Sequence, residues 1–257
     1  MYEKAMRVKL LLNAAFVIAV LVMCLMYLNI SPWQLIVVAP SFVSYIAANF
    51  FPPSIDNINI YARTVLYTVA FAVVGTYISA LLSFIFGMLM AEEITPYPIV
   101  RIATRFIMTF LRTIPVVIWA SIMVFIFGIG SMVGLIALIL STTGFLSRSY
   151  AESINEIAAK KLEPLKVSGV RTPQLIIHGL LPEFAPAWIN WTLFTFEINI
   201  RASAILGMVG AGGMGVLIQT HLNLRNFNEV ATLILILIAI VLFAEFLSGT
   251  IRKRLFL

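Results

Sequence analysis

Apolar residues run through this chain in long, nearly unbroken stretches rather than in the strict alternation of half-buried strands. A bilayer core is crossed by roughly 20 apolar helical residues, and a spanning segment must satisfy its own backbone hydrogen bonds, which favours helices. Six segments qualify: Leu10–Ile30, Val65–Met90, a broken run over Phe106–Ile129, Met132–Leu146, Phe184–Met208 and Val230–Leu247. The pattern predicts an all-α polytopic membrane protein with about six transmembrane helices in a single domain over 1–257. The third run is interrupted by Arg112 and Pro115, and the fourth is short. Residues 31–60 form an expected outer-face segment. Its apolar middle, Leu35–Phe51, contains Pro40, which predicts a short helical or re-entrant piece rather than a span.

Composition supports this reading. The 257 residues are 61% hydrophobic and 11% charged, whereas soluble domains run near ~45–50% apolar and ~25% charged. There are too few charges to cover a water-soluble surface. Cys24 is the single cysteine, and His178 and His221 are far apart in sequence, so neither a disulfide nor a metal centre is expected. A net charge of +6 raises the question of nucleic acid, but the basic residues follow membrane topology instead. In a six-span arrangement, Lys4, Arg7, Lys9, Arg101, Arg105, Arg112, Arg148, Lys160, Lys161, Lys166, Arg171, Arg252, Lys253 and Arg254 share one side. Only Arg63, Arg201 and Arg225 fall on the other. The positive-inside bias then places both termini and the 148–182 loop in the cytoplasm. The basic N-terminal flank also resembles a signal peptide. The apolar run behind it is long enough to span and lacks a small-residue cleavage site before Ser31-Pro32, so it reads as a retained first helix.

The one substantial hydrophilic stretch on the predicted inner side contains Glu163-Pro-Leu165, then Gly169, then Leu181-Pro182. A short helix beginning near Glu163 tolerates Pro164 in its first turn and can end at Gly169. Pro182 can open the next helix, where a missing N–H costs little. This loop resembles the coupling loop of ATP-binding-cassette importer permeases: E-A-A, three residues, G, nine residues, I, one residue, L-P. Four of the seven fixed positions match. Pro164, Leu165 and Gly179 depart from it.

Resemblance extends from about Tyr61 to the C-terminus and is nearest to the phosphonate-transporter permeases, the PhnE-like family. It is carried by Phe110-Leu-Arg-Thr-Ile-Pro115 with Trp119-Ala120, by Thr142-Thr-Gly144 with Tyr150-Ala-Glu152, and by Glu197-Ile-Asn-Ile-Arg-Ala-Ser203 joined to the glycine-rich run ending at Gly215. That run alone is also similar to methionine-importer permeases. The resemblance implies a type I importer permease fold in the cell membrane, with Glu163, Leu165, Gly169, Leu181 and Pro182 coupling to the ATPase. It implies alternating access for a phosphonate, phosphate or phosphite.

Charges inside the spans are costly, by ~2.5–3.5 kcal/mol on insertion scales, and usually face a bundle interior or wet cavity. Glu197 and Arg201 stand four residues apart, the acid first, and are expected to pair. They read either as part of an anion route, since a guanidinium suits oxyanions, or as a structural pair. Asn199 and Ser203 belong to the same stretch. Arg112, just before the break expected at Pro115, either faces a cavity or snorkels to the cytoplasmic interface. Ser141, Thr142 and Thr143 either line the route or pack helices together. Gly210, Gly212 and Gly215 fit a dinucleotide-binding spacing. That site needs a preceding strand, and here a spanning helix precedes it, so Gly210, Gly212 and Gly213 read as a helix break or outer gate.

The chain carries no phosphate-binding G-x-x-x-x-G-K-[ST] loop, so it is expected to be a transport subunit, not an enzyme. ATP and Mg would be bound by separate ATPase subunits, with no cofactor here. One coupling loop per chain suggests a homodimer facing two ATPases, and the resemblance adds an extracytoplasmic substrate-binding protein. Lipid is an expected partner and nucleic acid is not. The competing readings are a permease for another small solute, methionine-like, or an ion-coupled secondary transporter.

Overall fold

The computed structural model describes residues 2–54, 57–162, 170 and 172–255, and among these it is helical with no strand. Contacts divide the chain into two compact units, Met1–Pro52 and Pro53–Leu257. The first holds α1 (Tyr2–Tyr27) and α2 (Pro32–Phe50). Pro32 opens α2, where its missing donor is one of the orphans anyway. The break expected at Pro40 does not occur: α2 continues through it. A proline costs a helix one internal hydrogen bond, and the surrounding apolar sequence sustains the helix.

The second unit contains α3 (Ile58–Met90), α4 (Pro98–Thr113), α5 (Val116–Phe127), α6 (Ser131–Ile157), α7 (Leu181–Leu206), α8 (Met214–Asn223) and α9 (Phe227–Leu255). Among the described residues of both units, five helices are long and apolar enough to cross a membrane, and a sixth span exists if α4 and α5, bent by 88°, are taken together. The short fourth run proves to be the beginning of a 27-residue helix, α6. Arg148 and Glu152 dilute its apolar signal after Leu146 but pair with each other at 2.7 Å along one helix face.

α6 is the centre of the unit. α3 lies beside it in the same direction: the Ser79 hydroxyl donates to the Ile139 carbonyl (3.4 Å) and the Ser83 hydroxyl to the Thr143 carbonyl (3.2 Å). Gly75, Ser79, Ser83 and Gly87 recur every four residues, a stripe of small side chains that lets the two backbones approach. A β-carbon at Gly87 would sit 2.9 Å from Tyr150 Cβ. α7 runs back along α6. Tyr150 Oη and Thr192 Oγ1 share a 2.7 Å hydrogen bond, and Trp191 Nε1 donates to Ser153 Oγ at 3.1 Å.

Among the buried clusters of the described residues, two flank the site. One joins Leu146, Tyr150, Ile154, Leu175, Leu180 and Phe184, with the Tyr150 and Phe184 rings edge to face at 5.4 Å. The other joins Ala120, Ala137, Leu138, Leu206 and Ala211. Helical turns of the wider π form occur at Ala158–Leu162, Leu175–Leu180 and Gly207–Ala211. The chain is therefore already helical from Thr172, before Pro182, which sits in the first turn of α7 and is reached through one of these wide turns. A π-bulge is a common way for a helix to absorb a residue that cannot make the regular bond.

Candidate functional site

The site begins at a proline. Pro115 has no N–H to give the Leu111 carbonyl four residues earlier. α4 stops at Thr113 and α5 restarts at Val116. Trp119 Nε1 supplies the missing donor, reaching the Leu111 carbonyl at 3.1 Å. Its ring meets Phe110 edge to face, centroids 6.2 Å apart. The end of α4 lies directly on α6 at Gly144, where a β-carbon would stand 2.7 Å from Arg112 N and 2.9 Å from the Met108 carbonyl.

This break opens one wall of a cavity of about 390 Å³. Arg112, Thr113 and Val116 line that wall. Leu138, Ser141, Thr142 and Phe145 come from α6, and Thr195, Ile198, Asn199 and Ala202 from α7. Each of the last two sets follows the i, i+3, i+4, i+7 spacing of a single helix face. The cavity lies between the two buried clusters: Phe145 packs against one, and Leu138 belongs to the other. Asn199 ties the floor together. It accepts from Thr142 Oγ1 at 3.1 Å and donates through Nδ2 to Thr76 Oγ1 at 2.8 Å, so one amide bridges α3, α6 and α7. Thr195 turns its hydroxyl to the Trp191 carbonyl at 2.7 Å. Arg112 is the single charged residue among those lining the cavity.

Of the residues singled out in the sequence, the cavity brings together Arg112, Thr142 and Asn199, with Ser141 beside them. Thr143 is buried on another face of α6, where its own hydroxyl has no hydrogen-bond partner. Ser203 is buried with its hydroxyl bonded to the Ile200 carbonyl at 2.7 Å. The expected Glu197–Arg201 pair does not form. Glu197, only 11% exposed, pairs instead with Arg252 of α9. Residues 195, 198, 199 and 202 face the cavity, and at ~100° per residue Glu197 points to the opposite side. An exposed i, i+4 pair stabilises a helix by only ~0.3–0.5 kcal/mol, whereas a nearly buried carboxylate needs a close charge. Arg201 is exposed and, among the described residues, forms no ion pair.

Gly210 and Gly212 line a second cavity of about 450 Å³ with Tyr67, Ile129, Ser131, Met208 and Gln219. Gly210, Gly212 and Gly213 have φ of 101°, 89° and 72°, a region glycine enters freely. There the chain turns from α7 into α8, whose Met214 N–H donates to Thr68 Oγ1 at 3.0 Å. Of the coupling positions, Glu163, Leu165 and Gly169 lie outside the described residues. Leu181 borders a small apolar groove with Leu81 and Phe84, and Pro182 is exposed. Next to them Lys161 pairs with Glu183. Among the described residues no group of three or more His, Cys, Asp or Glu side chains is placed to hold a metal.

Sequence reasoning passed over Thr113, Leu138, Phe145, Thr195 and Ile198. Thr113 and Thr195 carried a signal as hydroxyls within apolar helices, whereas Leu138, Phe145 and Ile198 are apolar residues in apolar helices and carried none.

Residues 83–256 match the family model described as "Binding-protein-dependent transport system inner membrane component". The chain belongs to this family. The permease is 29% identical over 212 residues to the phosphite transport system permease protein PtxC of Stutzerimonas stutzeri, covering 82% of this chain and 77% of that one. It is 33% identical over 205 residues to the phosphate-import permease protein PhnE of Mycolicibacterium smegmatis, covering 79% of this chain and 38% of that one. In fold it is similar to an inward-facing MetNI methionine ABC transporter, with TM-score 0.70 and 22% identity over 79% of this chain and 99% of that one. The protein is thus the multi-pass, plasma-membrane permease subunit of an ATP-binding-cassette importer. Hydrolysis resides in a separate ATPase, and an ion-coupled transporter is set aside.

Proposed function

We propose that this permease moves a phosphorus oxyanion, such as a phosphonate, phosphate or phosphite, into the cell through the cavity at the α4–α5 break. The observation that carries this reading is Arg112. It lines a pocket with Ser141, Thr142 and Asn199, in a chain whose relatives are named for phosphite and phosphate. A guanidinium offers paired donors to an oxyanion, and the Ser141 hydroxyl can donate to a further oxygen. One positive charge in a pocket whose other walls are apolar or neutral favours passage over tight capture.

Alternating access follows from the same parts. ATPase subunits dock on the 148–182 loop at Glu163, Leu165, Gly169, Leu181 and Pro182, on the cytoplasmic side together with both termini. Closure of the ATPases moves that loop and opens the cavity outward towards the binding protein. Gly210, Gly212 and Gly213 form the outer gate. A second copy of the chain completes the pathway. Arg201 supports this arrangement: an unpaired guanidinium on a spanning helix is costly against lipid, and a neighbouring permease or wet pathway relieves that cost. Glu197, bound to Arg252, and Thr143 and Ser203, with their hydroxyls buried, serve as structure around the route.

The test is uptake of phosphite by the complete transporter reconstituted in liposomes. R112A lowers uptake per ATP hydrolysed by at least about tenfold, the worth of a charge-assisted hydrogen bond, and R112K restores part of it. R201A lowers uptake less and leaves ATPase docking intact. Unchanged uptake in R112A would remove the cavity from the pathway.

A further inference from the structure

We infer that Trp119 is the positioning residue for the cavity arginine, an inference that rests on the reading of Arg112 as the anion contact. Arg112 occupies the last turn of α4, immediately before the break. A helix end released by proline is held by whatever satisfies its last carbonyls. The carbonyl orphaned by Pro115 belongs to Leu111, the residue directly preceding Arg112, and Trp119 Nε1 takes it at 3.1 Å from the first turn of α5.

Two further contacts limit the same turn. Phe110 abuts the Trp119 ring edge to face, at an interplanar angle of 84°. On the far side the Arg112 backbone lies against Gly144, where there is no room for a β-carbon. Residues 110 and 111 are thus held by Trp119, through its ring and its N–H, and residue 112 lies against Gly144. Among the hydrogen bonds of the described residues, the indole supplies the one that crosses the break by side chain. Trp119 also packs against the cluster of Ala120, Leu138 and Leu206, so the donor itself is anchored. Trp119 lies outside the set that lines the cavity and touches the substrate only through Arg112.

Phenylalanine at this position keeps the ring and loses the N–H. In the reconstituted transporter, W119F lowers phosphite uptake per ATP by about fivefold, the loss expected for one hydrogen bond. In R112A the same change does nothing further, so R112A and W119F/R112A transport alike. A merely structural tryptophan would give losses that multiply in the double variant, and that result overturns the inference. If R112A is impaired and W119F matches the unchanged protein, the inference fails while the cavity reading stands. If R112A transports normally, the cavity reading fails, and with it the role given to Trp119. A readout independent of transport follows position 112 directly: R112C reacts with a charged methanethiosulfonate at a rate that shifts at least threefold when W119F is added. An unchanged rate in a complex that elutes normally would also overturn the assignment.

Discussion

Two helical walls lie against α6, and they are built on opposite plans. α3 runs alongside it unbroken, spaced by Gly75, Ser79, Ser83 and Gly87 and stitched by serine hydroxyls to main-chain carbonyls. The α4–α5 wall is broken at Pro115 and turns through 88°. The first wall spends its polar groups on helix-to-helix bonds. The second contributes Arg112 to the cavity, while the Thr113 hydroxyl bonds back to the Thr109 carbonyl at 2.7 Å. A continuous seam holds the scaffold, and the interrupted one supplies the cavity, because the break at Pro115 parts α4 from α5 and opens one wall.

Substituting one glycine at the contact of each wall with α6 sharpens that contrast. At Gly144 a β-carbon meets backbone, Arg112 N at 2.7 Å and the Met108 carbonyl at 2.9 Å. Backbone cannot yield without moving α4, so G144A is expected to destabilise by about 3 kcal/mol, near the upper range for overpacking. At Gly75 the nearest atom, Leu138 Cδ2 at 2.6 Å, is the tip of a side chain that can rotate. G75A should cost less than about 1 kcal/mol. Melting of the two variants in nanodiscs reads the difference directly, and equal melting shifts would end the contrast between the walls.

The next effect belongs to the Glu197–Arg252 pair. With Glu197 11% and Arg252 29% exposed, E197Q leaves a partly buried guanidinium without its counter-charge. It should destabilise by about 2 kcal/mol, less than a fully buried pair. Recovery of stability in E197Q/R252M would confirm that the lone charge is the cost. The smallest effect is expected at the exposed Lys161–Glu183 pair flanking the coupling loop. K161A should stay within about 0.5 kcal/mol, as surface pairs do, and a larger shift would mean that the loop flanks are tied to the core more tightly than their exposure implies.

Much of this was legible in the sequence. The apolar runs located the spans, and Pro115 and Arg112 located the break, because hydropathy and proline act locally. The partner of Glu197 was not legible: i, i+4 spacing offered Arg201, while the true partner stands fifty-five residues away on α9. Tertiary packing chose it. The length of α6 was hidden by Arg148 and Glu152, whose mutual pairing removes much of the cost that an apolar window assigns them. The cavity was half legible. Arg112, Thr142 and Asn199 were found as polar residues in apolar runs, but Phe145, Leu138 and Ile198 were not, since an apolar side chain in an apolar helix carries no local mark of facing a void.

The shared direction of α3 and α6 carries one more consequence, a matter of parity. Two neighbouring helices that point the same way oblige the intervening chain to travel back the full depth between them. Only α4 and α5 lie on that return, so despite their right-angle bend they make one complete crossing and not a hairpin that re-emerges where it entered. With α7 and α9 each reversing direction in turn, the second unit crosses an odd number of times. Where each of these helices spans, the two ends of the unit open onto different compartments.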